Sequence, residues 1–310
     1  VAQYYLIPKS LAERFPRLAS AIQSVETSVL QAVFWLFGRL RPEQASHLAA
    51  MLFGWVGPFT DKARKARVNL EIAFPDRDDR WRKQMIREIF RSLGRAAAEL
   101  ITLERIWKER GERLRFSYSA RAREHIERRD PCIFVCAHVG AWQLTNLIAR
   151  EEGLTITTVF APESNPATGE MLGRLRESFG VKLVPSDAGV RPLIKELQAG
   201  NSLGLAMDTR LASGQLVPFF GRDALTNTSA ARLALRTGAI LLPIRCERTG
   251  AGSFHIQVDD PLVADDPEAA ADEQALDLTR QINLRFEQWI RETPGEWICL
   301  KRRWPKAHRL

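Results

Sequence analysis

Apolar positions recur every three to four residues through most of the first hundred residues, so the stretch from about 10 to 110 reads as helical. Asn69-Leu-Glu-Ile-Ala-Phe-Pro75 breaks at its proline, and one long helical pattern follows from Trp81 to Trp107, with Met85, Ile86, Ile89, Phe90 and Leu93 on one face. From about residue 113 the texture changes. Short strand-like runs at 132–137, 155–161, 182–184, 202–207, 240–245, 254–258 and 297–300 are interleaved with helical segments at 142–152, 168–179, 190–199, 226–237 and 272–292. This predicts an α/β fold, a mostly parallel central sheet flanked by helices, with a helical N-terminal part. The expected division is a helical region over 1–112 and an α/β core over 113–310, integrated into one domain. The acidic, alanine-rich 264–273 reads as a loop into the last helix.

The most informative stretch is Cys132-Ile-Phe-Val-Cys-Ala-His138-Val-Gly-Ala-Trp142-Gln143. An apolar run reads as a buried strand that ends on a histidine and opens, past a glycine, into a helix. The imidazole then stands at the carboxyl end of a strand, where ligands of open α/β sheets bind. Asp208-Thr-Arg210 follows another strand in the same way. If the two strands are neighbours, His138, Asp208 and Arg210 converge on one edge. A carboxylate behind a histidine fixes its tautomer and stabilises the imidazolium, the minimum equipment of a general base; otherwise the three form a salt-bridged loop. Gly214-Gln-Leu-Val-Pro-Phe219-Phe220-Gly-Arg222 reads as a rigid apolar turn that either walls an alkyl pocket or plugs the core. The helix opening at Thr226 has capping residues whose free amides suit an anion, with Arg232 and Arg236 four apart on one face. Arg174 and Arg176, before Phe179-Gly180, either hold a phosphate or oxyanion or lie on the surface.

Charge narrows the partners. The 310 residues carry a formal net charge of +8, which calls for an acidic partner. The basic tail Lys301-Arg-Arg-Trp304-Pro-Lys306 suits anionic lipid headgroups or a carrier protein. No nucleic-acid-binding signature accompanies it. The four cysteines lack CxxC or metal-ligand spacing and read as buried thiols in a reducing compartment; no cofactor is expected. No Gly-x-Ser-x-Gly elbow is present, which speaks against a serine hydrolase. The apolar runs 32–38 and 48–59 are too short to span a bilayer and are interrupted by Arg39 and Arg41. Their tryptophans and phenylalanines suit either a membrane interface or an amphipathic helix buried on its own domain.

Taken in order, five segments resemble the bacterial lipid A late acyltransferase family, a branch of the lysophospholipid acyltransferase superfamily. They are Ala66-Arg-Val-Asn-Leu-Glu-Ile-Ala-Phe-Pro75; His138-Val-Gly-Ala-Trp-Gln143, like the histidine box; Asn165-Pro166 with Arg174 to Gly180; Asp208-Thr-Arg210 with Ser213-Gly214 and Val217-Pro-Phe-Phe-Gly221; and Glu296-Trp297 with Arg302-Arg-Trp304. The resemblance implies a fatty acyl chain moved from a thioester, on acyl carrier protein or coenzyme A, to a hydroxyl of a membrane glycolipid such as a lipid A precursor. It further implies His138 as general base, an acid behind it and Arg176 on the transition-state charge. Trp142, Asn165, Arg210, Phe219, Phe220 and Arg232 are the expected substrate contacts. The expected place is the cytoplasmic face of the inner membrane, against its anionic surface. The family usually carries a hydrophobic N-terminal anchor; the candidates here are interfacial only, which implies a trimmed or a peripheral form.

Two departures bear on the chemistry. Gln143 stands where the family has Glu or Asp. Its amide oxygen can accept from Nδ1 of His138 but cannot offset an imidazolium charge. Three explanations stand: an engineered inactivation, a natural enzyme that uses another acid, with Asp208 the candidate, or a lipid-binding member without catalysis. A hydrolase of the same substrates, with His138 activating water, is a further reading. Ala161 stands near where the family often has an arginine, which leaves the acceptor open.

Overall fold

The computed structural model describes residues 15–161 and 165–305. Four helices lead in: α1 (Pro16–Arg39), α2 (Pro42–Val56), α3 (Asp61–Ala73) and α4 (Asp79–Ile101). Pro75 separates α3 from α4, and the side chain of Asp78 caps α4 by accepting from the Trp81 amide at 2.8 Å. The long helix expected to reach Trp107 ends at Ile101, interrupted at Thr102 before α5 (Leu103–Lys108); α6 (Arg110–Arg113) follows. The α/β region then runs through β1 (Leu114–Tyr118), α7 (Ala120–Glu127), β2 (Cys132–Cys136), a 3-10 turn (Trp142–Leu147), α8 (Ile148–Glu152), β3 (Ile156–Phe160), α9 (Pro166–Glu177), β4 (Lys182–Pro185), α10 (Arg191–Gln198) and β5 (Ser202–Ala206). A hairpin of β6 (Arg210–Phe219) and β7 (Arg222–Thr226) comes next, then α11 (Ser229–Thr237), β8 (Ile240–Gly250), β9 (Ser253–Val258) and α12 (Ala271–Glu292).

Seven strands form one sheet in the order β1-β9-β8-β2-β5-β3-β4. β8, β2, β5, β3 and β4 are parallel; β9 turns back against β8, and β1 runs parallel to β9. Every residue of β2 is buried, as a central strand covered on both faces requires. Its alternation divides the core. Ile133 and Val135 join Leu203, Leu205 and Leu241 on the face covered by α3, α4, α10, α11 and α12. Phe134 and Cys136 join Ile156, Phe179 and Val181 on the face covered by α5, α7 and α8. The N-terminal helices α3 and α4 therefore share a core with the sheet.

Three expectations are corrected. Residues 297–300 form no strand: the segment makes a single bridge, Val139 to Trp297, and is otherwise held by side chains. Segment 142–152 begins as a 3-10 turn before α8. The apolar turn at 214–222 is the end of the β6–β7 hairpin, closed by Phe220 and Gly221 at φ +52° and +70°. β1, at the sheet edge, has one exposed and four half-buried positions, too weak a pattern to read from sequence.

Among the described residues no helix is long and apolar enough to cross a membrane. α1, α2 and the short turn Gly57–Phe59 instead leave large apolar side chains in solvent: Trp35 is 61% exposed, Trp55 74% and Phe59 86%, and the Arg39 guanidinium lies 3.5 Å from the centre of the Trp35 ring. α2 packs tightly on α4 through Ala45, Ala49 and Gly94. A Cβ on Gly94 would come within 2.4 Å of the Ala49 carbonyl oxygen, so a methyl group there must push the two helices apart. Gly94→Ala is expected to cost about 1–3 kcal/mol, read as a lowered midpoint in urea unfolding with an unchanged slope; an unchanged midpoint would show that the helices yield without cost.

Candidate active site

The site follows from strand register. β2 and β5 are parallel neighbours, and Cys136 lies beside Ala206. Two residues further on, past each strand end, His138 stands beside Asp208 on the same face. The His138 Nδ1 lies 2.6 Å from Asp208 Oδ1, and the His138 backbone N–H donates to the same oxygen at 3.1 Å. The other carboxylate oxygen accepts from the Trp297 indole N–H at 3.1 Å. With Nδ1 turned to the acid, Nε2 is left for a ligand. Asp208 is 3% exposed and His138 27% exposed at its side chain, so the acid is sealed behind an imidazole that still meets the outside. Gly140, at φ +62°, lets the chain turn here; a Cβ would strike the Cys246 carbonyl oxygen at 2.5 Å.

His138 opens onto a cavity of about 350 Å³. Its alternating neighbours Phe134 and Cys136 line it, with Ile156, Phe179, Val181 and Ile244 as further apolar walls and Trp142, Gln143 and Arg176 among the other lining residues. Gln143 is thus a wall residue, while the acceptor at His138 Nδ1 is Asp208. The Trp142 ring lies 5.4 Å from the imidazole. Arg176, on α9, lies over Phe160 at 5.9 Å. Ala161 and Lys301 also line the cavity. The sequence marked Trp297 and Lys301 within terminal motifs; their places beside Asp208 and His138 depend on a fold-back of the last residues that no local pattern encodes.

Other expected substrate contacts are not brought to this cavity. Phe219 and Phe220 are buried in an aromatic cluster, with Phe219 5.7 Å from Trp304 and Phe220 stacked on Trp297 at 6.1 Å; of the two readings of this turn, it plugs the core and props Trp297. Arg210 is exposed at the start of β6 and lies outside the lining. Arg232 pairs with Asp272 at 2.7 Å and bonds to Thr228, so its charge is spent on the surface of its own helix pair. At the start of that helix the Ser229 amide already donates to the Asn227 side chain at 2.9 Å. Asn165 is buried and donates to Thr27 on α1 at 3.1 Å, tying the chain before α9 to the N-terminal helix. Arg174 pairs with Glu170. In the basic tail Arg303 is 2% exposed; it donates to the Leu225 carbonyl and the Thr226 hydroxyl and so cannot reach a lipid headgroup, while Lys306 lies outside the described residues.

A buried ion network holds the frame. Arg248 on β8 forms a bidentate pair with Glu99 of α4, at 2.6 and 2.9 Å, and reaches Glu296 at 3.1 Å and the Ser92 hydroxyl at 3.0 Å. Burial disfavours its charge, but the two carboxylates outweigh this and raise its pKa. Glu296 precedes Trp297, so the network sets where the indole meets Asp208. The four cysteines are buried thiols, as expected; burial pushes Cys132 and Cys136 up to about 12.

The similarities to known proteins define the class of this chain as an acyltransferase. The chain is a member of the bacterial lipid A biosynthesis acyltransferase family, whose description matches residues 15–306. A lipid A biosynthesis acyltransferase of Haemophilus influenzae is 22% identical over 255 residues, 79% of this chain and 77% of that protein. The lipid A biosynthesis myristoyltransferase of Escherichia coli is 24% identical over 78% of this chain and 76% of its own length. A phosphatidylinositol mannoside acyltransferase of Mycobacterium tuberculosis is 29% identical over 56% of this chain and 54% of its own.

Electrostatics set the protonation of the pair. Burial opposes charge on His138 and on Asp208, but each stabilises the other's ion: His138 titrates above its ordinary 6.5 and Asp208 below its ordinary 3.8. The raised imidazole contributes stability in full below pH 6.5 and loses it as pH rises through the folded value. The depressed carboxylate contributes above pH 3.8 and loses it as pH falls through its folded value. NMR titration of the His138 ring is expected to give a midpoint above 6.5, and Asp208→Asn to lower it; a variant midpoint equal to or above that of the unmodified chain would contradict the pairing.

Proposed function

We propose that the protein transfers a fatty acyl chain from an acyl thioester, carried on acyl carrier protein or coenzyme A, to a hydroxyl of a membrane glycolipid such as a lipid A precursor. The observation that carries this is the His138–Asp208 pair, with His138 lining a largely apolar cavity. The matched relatives are named for acylation of lipid A and of phosphatidylinositol mannosides, both sugar-bearing lipids, which supports a glycolipid acceptor.

The reaction needs no covalent enzyme intermediate. Asp208 holds Nδ1–H, so Nε2 takes the proton of the acceptor hydroxyl. The acceptor oxygen bonds to the thioester carbonyl carbon, and the carbonyl π pair moves onto its oxygen. When that pair returns, the C–S bond breaks and the leaving thiolate takes the proton back from the imidazolium. The cavity beneath receives the acyl chain, and Arg176 adds positive charge to its wall. Asp208 thereby takes the place of the acid absent at Gln143, and Gln143 serves as a polar wall contact. Trp142 borders the acceptor side of the imidazole. The shared core of α3, α4 and the sheet supports reading the helical region and the α/β region as one unit.

The place of action is the cytoplasmic face of the inner membrane, with the protein peripheral or N-terminally anchored. Exposed Trp35, Trp55 and Phe59, beside Arg39, form the docking face toward an anionic surface. Asn165 bonded to Thr27 connects that face to the loop before α9, on whose far end Arg176 lines the cavity. A non-catalytic lipid-binding member is the second reading, motivated by Gln143 alone.

Acyl transfer with both donors separates the readings. His138→Ala is expected to abolish transfer, Asp208→Asn to lower kcat by roughly 10²–10⁴-fold, and Gln143→Ala to stay within about tenfold. Full loss in Gln143→Ala with little loss in Asp208→Asn would return the acid's role to the position of Gln143. An inactive native chain that still binds acyl lipid would favour the second reading, and free fatty acid as the main product would favour a hydrolase. Because the base must be neutral, kcat/KM should rise with pH through a midpoint above 6.5, and Asp208→Asn should move that limb down.

For the membrane, Trp55→Ser with Phe59→Ser is expected to weaken binding to anionic vesicles by at least about tenfold in a flotation assay while circular dichroism is unchanged. Unchanged flotation would place the docking face elsewhere.

A further inference from the structure

Lys301 lines the cavity together with His138, and its backbone is held by the core. Asn69 on α3 is fully buried. Its amide donates to the Cys299 carbonyl at 2.8 Å and the Lys301 carbonyl at 2.7 Å, and its oxygen accepts the Arg303 N–H at 3.0 Å. One step upstream the Ile298 N–H donates to the His138 carbonyl at 2.8 Å. Downstream, Arg303 is locked beneath the hairpin by Leu225 and Thr226, with its guanidinium 4.7 Å from the Phe219 ring centre. Residues 298–303 are thus pinned at both ends to the histidine loop and the core. Between the pins stands Lys301, an exposed residue that lines the cavity.

The charges around the imidazole are few. Asp208 lies behind it, away from the cavity. Cys136 shares the cavity, but burial keeps its thiol neutral. Arg176 lines the wall at Phe160. No carboxylate lines the cavity, and none pairs with the Lys301 ammonium, among the described residues. A site that uses a base on one reactant must also meet negative charge on the other, with a donor aimed where that charge grows.

We propose that Lys301 is a catalytic residue, the cation that meets the negative charge developing on the carbonyl oxygen of the acyl donor. This rests on the acyltransferase reading. As the acceptor oxygen bonds to the carbonyl carbon and the π pair moves to oxygen, the Lys301 ammonium donates a hydrogen bond to that oxygen and keeps its proton. When the pair returns and the C–S bond breaks, the hydrogen bond weakens and the ammonium is unchanged. Lys301, rather than Arg176, has this place because its segment is bonded to the histidine loop through the Ile298 N–H and the His138 carbonyl, whereas Arg176 stands over Phe160 on the cavity wall; the Lys301 charge also opposes protonation of His138, against the stronger pull of Asp208. The same charge therefore helps keep the base available while it stabilises the oxyanion.

The test uses the full chain with Lys301→Met and Lys301→Arg, assayed with acyl carrier protein and coenzyme A thioesters, alongside NMR titration of His138. Lys301→Met is expected to lower kcat by roughly 10²-fold or more with the donor KM within about threefold, and Lys301→Arg to recover much of the loss. The His138 midpoint should rise in Lys301→Met and stay in Lys301→Arg, a change that loss of packing alone would not produce. A Lys301→Met enzyme within about twofold of the native kcat, or an unmoved His138 midpoint, overturns the proposal while leaving the acyltransferase reading intact. A native chain that transfers no acyl group from either donor overturns that reading and this one with it.

Discussion

A carboxylate sealed from water must be met by hydrogen-bond donors, and Asp208 draws three of them from two separate places in the chain. It takes the imidazole and the backbone N–H of His138, at the end of β2, and the indole N–H of Trp297, in the chain after α12. Desolvation of an unpaired carboxylate costs several kcal/mol, so the arrangement is stable only when all of these donors are in place. This makes the site a product of the whole fold. The sheet brings His138 and Asp208 together by register, and the last residues close over them with the indole.

Much of the remaining structure fixes that closure. Arg248 joins the outer half of β8 to α4 and to Glu296, which sets the turn just before Trp297. Phe219, Phe220 and Trp304 pack around the indole from the side of the β6–β7 hairpin. Asn69 holds the next stretch by three hydrogen bonds. Five segments that resemble one family at a distance in sequence therefore have a common physical use. The first positions the last, the histidine and acid segments meet at neighbouring strand ends, and the hairpin supports the closing motif. The exception in kind is the segment at Asn165 and Arg176, which borders the cavity and touches the N-terminal helix instead.

The cavity is walled mainly by apolar side chains, because alternate residues of β2 point there and α8, β3 and the chain around Phe179 supply the other walls. Lys301 and Arg176 add cationic groups to the lining, and the helical N-terminal region leaves Trp35, Trp55 and Phe59 in solvent. That combination fits a substrate with a long alkyl part and a polar, anionic part, approached from a surface. The net positive charge agrees with it, although Arg303 and Arg248 show that part of the charge count is interior and neutralised or solvated by the protein itself.

Local pattern was sufficient for the elements that carry strong periodicity. The central strands, the amphipathic helices α4 and α12, and the position of His138 at a strand end were legible, because each is decided by neighbours two to four residues away. Edge strand β1 and the β6–β7 hairpin were not, because half-buried alternation and a bulky residue at positive φ carry little local signal. The roles offered for Phe219, Phe220, Arg210 and Arg232 required knowing which face each would meet, and a side chain's face is set by packing. The sequence alone determined an α/β fold with a histidine just past the carboxyl end of a central strand and an acid missing from the expected place. Only the tertiary structure decided that Asp208 stands behind that histidine and that Gln143 and Lys301 line the same cavity. Strand register and the fold-back of the terminal residues are set by contacts between segments 70 or more residues apart, and no local pattern carries that information.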